Sequence, residues 1–89
     1  MSELSTVTGV QIRSARYALG WSVAKLSAAS RVSTSTIKRV ELESGVPKST
    51  KTNIAAIQNA LETAGIEFIG TPDDAPGIRI HSIPPQTQI

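Results

Sequence analysis

Residues 22–42 must hold two helices and the bend between them, and this crowding constrains the fold more than any other feature. Ser22 is a residue type that caps helix starts, and Leu26 marks the apolar side of a short segment running to about Ala29. Ser33 is a second cap, after which Ile37 and Val40 recur at helical spacing as far as Leu42. Only Ser30-Arg31-Val32 joins the two segments. Three residues reach about 10 Å at full stretch, so the second helix has to turn steeply and brace against the first.

The flanks extend the same helical pattern. Residues 8–19 carry Ile12, Ala15 and Leu19 on one face, with Arg16 beside them. Thr8 and Gln11 have the spacing of a capping box, and Gly20 supplies a stop. Residues 43–49 contain Gly45 and Pro47 and predict a loop. Ile54, Ile57 and Leu61 then predict a fourth helix over residues 51–64, ended by Gly65. Beyond it the period changes. Residues 66–69 and 78–81 are short strand candidates around the turn-rich stretch 71–77. Ile66, Phe68, Ile78 and Ile80 alternate with polar residues, and this face either covers the chain's own core or forms a subunit interface. Pro84 and Pro85 bar residues 82–89 from continuing a central strand, and that tail is expected to be flexible. The expected fold is mainly α: four helices over residues 7–65, then a β-hairpin over 66–81 available for dimerisation.

Composition removes several function classes. Eighty-nine residues allow one small core. With no cysteine and one histidine, His81, there is no disulfide scaffold, thiolate site or multi-histidine metal centre. Tyr17, Trp21 and Phe68 are the only aromatics, too few for a single-strand stacking platform. No apolar run reaches the ~20 residues of a membrane span, and the polar start with Glu3 does not resemble a signal peptide. The expectation is a cytoplasmic protein without a membrane partner, cofactor, metal or evident small-molecule effector.

Charge is distributed unevenly. Residues 9–53 hold Arg13, Arg16, Lys25, Arg31, Lys38, Arg39, Lys48 and Lys51 against Glu41 and Glu43, a net +6. Residues 54–89 hold Arg79 against Glu62, Glu67, Asp73 and Asp74, a net −3. A basic half suits a polyanion. The third helix starts Ser33-Thr34-Ser35-Thr36, with Lys38 and Arg39 one turn on. Small hydroxyl residues let a helix end approach a duplex, exchange hydrogen bonds at base edges and touch thymine methyls.

The run from Trp21 through Glu41, most specifically residues 32–41, resembles the helix-turn-helix of phage-repressor-like regulators, the Cro/repressor or XRE family. Residues 12–21 resemble that family's first helix and residues 52–66 its closing helix. Ala60-Leu61-Glu62-Thr63-Ala64-Gly65-Ile66-Glu67-Phe68-Ile69 with Gly77-Ile78-Arg79-Ile80 is similar to a small bacterial branch with a two-stranded ending. The resemblance implies base reading by Ser33, Thr34, Ser35 and Arg39, with Lys38 adjoining. It implies phosphate contact at Ser22 and Val23, and a buried ion pair between Arg16 and Glu41. Arg31, Lys48 and Lys51 join the expected phosphate set by charge and position. Three residues depart from the family pattern. Val23 stands where glutamine is usual, Ser27 where alanine is usual, and Arg31 where a left-handed glycine is usual.

These observations lead to an expected function: a homodimeric, sequence-specific double-stranded DNA-binding regulator, read as a repressor and associated with the nucleoid when bound. It would use residues 33–42 in the major groove. The alternative is a DNA-binding antitoxin or adaptor whose C-terminal half grips another protein. An enzyme is not expected, because His81 with Asp73 and Asp74 is no nucleophile–base set and too sparse for a metal site.

Overall fold

The computed structural model describes residues 7–81, so the expectation for residues 82–89 lies outside the described residues. Four helices are followed by one antiparallel pair of strands: α1 Gly9–Ala18, α2 Val23–Ser30, α3 Thr34–Glu41, α4 Lys51–Thr63, β1 Ile66–Thr71 and β2 Asp74–Ile80. Every helix starts at a hydroxyl cap. Thr8, Ser22, Ser33 and Thr50 each accept a hydrogen bond from the amide three residues on, which satisfies one of the free donors of the first turn. At Thr8 the box is complete, because its own N–H donates to the Gln11 side chain at 2.8 Å.

Each helix contributes its apolar face to one core. Ile12 and Ala15 of α1, Leu26 of α2, Ile37 and Val40 of α3, and Ile57 and Leu61 of α4 are buried, with Val7, Val32 and Ile66 closing the cluster. Burying one such aliphatic side chain contributes about 1.5–3 kcal/mol, so these few residues carry most of the packing. Ile54, expected in the core, packs against its edge and stays half-exposed. No described helix is long and apolar enough to cross a membrane.

The hairpin differs from expectation in its turn. The strands pair Ile66 with Ile80, Phe68 with Ile78 and Ile69 with Gly77, and continue to a Thr71–Asp74 pair around Pro72-Asp73 alone. Residues 71–77 are therefore not one wide turn. The strands continue because a bulge absorbs the mismatch, with Gly70 facing Ala75 and Pro76 between the last two pairs. Gly70 has φ +77°, and a Cβ there would strike the Ala75 carbonyl, so glycine is required. Ala75 itself adopts φ 53°. Of the alternating apolar face, Ile66 is buried, Phe68 and Ile78 pack against the helical core, and Ile80 remains exposed.

Candidate nucleic-acid interface

The segment between α2 and α3 is braced by hydroxyls. The Ser27 hydroxyl donates to the Val32 carbonyl at 2.6 Å, and that of Ser30 donates to the Leu26 carbonyl at 2.8 Å. The Ser30 oxygen in turn accepts from the Val32 amide. Arg31 takes the left-handed conformation at φ 65° that the bend demands. Ser27 thus serves the bend itself, a role that alanine cannot fill.

This bend leaves one face of α3 in the core and the other in solvent. Ile37, Val40 and Glu41 are buried, while Thr34, Ser35, Lys38 and Arg39 are exposed together on the opposite side. Among the described residues, neither Lys38 nor Arg39 has an ion-pair partner. Ser33 stands apart from that set. Its oxygen accepts the Thr36 amide, and its hydroxyl lies 3.0 Å from the Thr36 hydroxyl, so it is occupied as the cap. Ser22 is likewise engaged by the Lys25 amide at 3.0 Å. The Val23 side chain has no polar atom and packs against the core.

Two grooves are bordered by cations. Arg39 and Lys48 line one groove of about 380 Å³ between the end of α3 and the start of α4, together with Glu43, Ser49, Thr50 and Asn53. Lys51, exposed, begins α4 beside it. Arg31 instead borders a second groove, with Trp21 and the small residues of α2 and α4. Lys25 lies over the Trp21 ring at 5.5 Å.

Arg16 and Glu41 meet as a two-pronged pair. Arg16 Nε donates to Glu41 Oε2 and Nη2 to Oε1, both at 2.8 Å, and Nη1 donates to the Trp21 carbonyl at 3.0 Å. Both side chains are buried, and the hydrogen bond to Glu41 is the main cause raising the already high pKa of the guanidinium. The pair joins α1 to the last turn of α3, below the exposed face. The carbonyl of Trp21, invisible to sequence reasoning as a partner, completes the site.

Gln11 does more than cap. Its Nε2 donates to the carbonyls of Ile69 at 3.0 Å and Gly77 at 2.8 Å, one on each strand. A glutamine at a capping position signals the local bond only; backbone acceptors far along the chain carry no side-chain signature. Elsewhere, His81 and Arg79 both contact Glu67. Among the described residues no three His, Asp or Glu side chains gather into a metal-binding group.

The chain matches no family model, and no curated protein matches it in sequence.

Proposed function

We propose that this protein is a sequence-specific double-stranded DNA-binding regulator, acting as a homodimeric repressor through a helix-turn-helix formed by α2 and α3. The observation that carries the reading is the solvent face of α3, where Thr34, Ser35, Lys38 and Arg39 stand together over a buried apolar face. An arginine there can hold guanine O6 and N7 with its fork, and the small hydroxyl residues permit close approach. Lys48 lines the same groove as Arg39, so a phosphate beside the base-reading face would meet the Lys48 ammonium. Base reading rests on Thr34, Ser35, Lys38 and Arg39, with Ser33 serving as the cap. One short helix covers about one half-site, and a second copy on a palindrome supplies the remaining specificity.

Selection of bound duplexes from a random library tests this directly. The expected result is a two-fold-symmetric motif with half-sites about one helical turn apart. Arg39→Ala should then cost about 1–3 kcal/mol and relax discrimination at particular base pairs. Recovery of no motif, or equal loss on every duplex for Arg39→Ala, rejects the assignment of the reading face.

A further inference from the structure

Gln11 is among the few buried polar side chains, with 3% of its surface exposed. Both hydrogens of its Nε2 and its Oε1 are engaged. Oε1 accepts the Thr8 N–H, and the two Nε2 bonds reach Ile69 and Gly77, which stand opposite each other in the strand register. One amide therefore clasps both strands of the hairpin to the first turn of α1. The same turn is pressed against α3. The Gly9 N–H donates to the Gly45 carbonyl at 3.1 Å, and a Cβ at Gly9 would collide with the carbonyl oxygens of Val40 and Glu43. Val40 belongs to α3 and is the neighbour of Arg39. The hairpin, the α1 start and the C-terminal end of α3 thus form one unbroken series of contacts.

We infer that Gln11 is a positioning residue: by clasping both hairpin strands to α1, it fixes how α1 abuts α3 and so where the solvent face of α3 stands. The functional half of this inference rests on the DNA-binding reading; the mechanical half does not. Contacts of this kind carry an effect only if the elements are packed without slack. The Gly9 approach meets that condition, since backbone touches backbone with no side chain between.

Gln11→Leu keeps the approximate size but takes the side-chain acceptor from the Thr8 amide and removes both bonds to the strand carbonyls. Gln11→Glu keeps the acceptor for Thr8 and turns a carboxylate towards two carbonyl oxygens. Thr8→Ala is the control, removing the cap hydroxyl while sparing the clasp. Each full-length variant is compared with the parent at a temperature where circular dichroism shows equal folded fractions. Without DNA, both Gln11 variants should shift the backbone amide resonances of Arg39 and Val40 and speed hydrogen exchange across the hairpin. Thr8→Ala should leave Arg39 and Val40 in place. With the selected duplex, the ratio of specific to random-duplex affinity should fall at least fivefold for both Gln11 variants and hold for Thr8→Ala. If Gln11→Leu does not fold, Gln11→Glu and Thr8→Ala alone decide. Unmoved Arg39 and Val40 resonances in the Gln11 variants, or equal movement in Thr8→Ala, overturn the positioning role. Moved resonances with an unchanged affinity ratio overturn its bearing on DNA. A parent that binds no duplex defeats the DNA-binding reading, and the resonances still decide the mechanical link.

Discussion

At Arg16, three nitrogens are directed at named acceptors and the side chain is 9% exposed, so removing its partner strands a charge away from water. Truncating one member of a buried pair costs about 3–5 kcal/mol, against a total stability of roughly 5–13 kcal/mol for a chain of this length. Arg16→Ala and Glu41→Ala should each lower the melting temperature by ten degrees or more, given about 4–8 °C per kcal/mol in so small a domain. The double variant should lose much less than the sum of the two. Single variants that melt within a degree or two of the parent contradict this. Arg31 carries a different burden, a Cβ in left-handed backbone at φ 65°. Arg31→Gly should be more stable than Arg31→Ala by about 1 kcal/mol, since only glycine relieves the strain; equal melting of the two places the strain elsewhere. Both residues were legible in the sequence to different depths. Arg16 and Glu41 lie on inward stripes by their spacing, but it is the resemblance to a known family that pairs them. That Ser33 and Ser22 act as caps was equally visible; at Ser33 the hydroxyl hydrogen also goes to Thr36, whereas Ser22 only accepts in its cap, which does not compete with donation to a phosphate.

Among the elements, the helices follow closely from caps and apolar spacing because both signals are local. The hairpin does not. Its turn closes at Pro72-Asp73 only because Gly70 and an alanine both take positive φ, and alanine gives no sequence warning of that. The outer face of the hairpin carries Glu67 between His81, at 2.7 Å, and Arg79, at 3.1 Å. The hydrogen bond with His81 is the main cause holding the Glu67 carboxyl below its ordinary value of 4.5, with the charge and hydrogen bond of Arg79 adding to it. A carboxyl whose folded pKa lies below its unfolded one stabilises the fold above the unfolded value. That contribution is lost as pH falls through the lower, folded value. Carboxyl NMR titration should place the Glu67 midpoint below 4.5, and His81→Ala or Arg79→Ala should move it upward. A midpoint indifferent to both substitutions contradicts the arrangement.

For the whole molecule, charge and connectivity set the behaviour. The proposed interface draws on the basic residues 9–53, and engaging roughly five or six phosphates per site implies a slope near −5 for log affinity against log salt. Lys48→Ala and Lys51→Ala should each flatten that slope by about one and weaken all sequences alike. A salt-independent affinity defeats the electrostatic part of the proposal. Connectivity has a consequence in time as well. The carbonyls that hold Gln11 lie 58 and 66 residues further along the chain. At ~5–20 residues per second of synthesis, the last of them emerges roughly 3–13 s after Gln11 itself. During that interval the start of α1 has its cap but not its clasp, so the nascent helices meet before anything secures their outer edge. Of the described elements, α1 thus emerges earliest yet gains its clasp only after β2 has followed, so pairing of the two strands is what secures the edge of the helices.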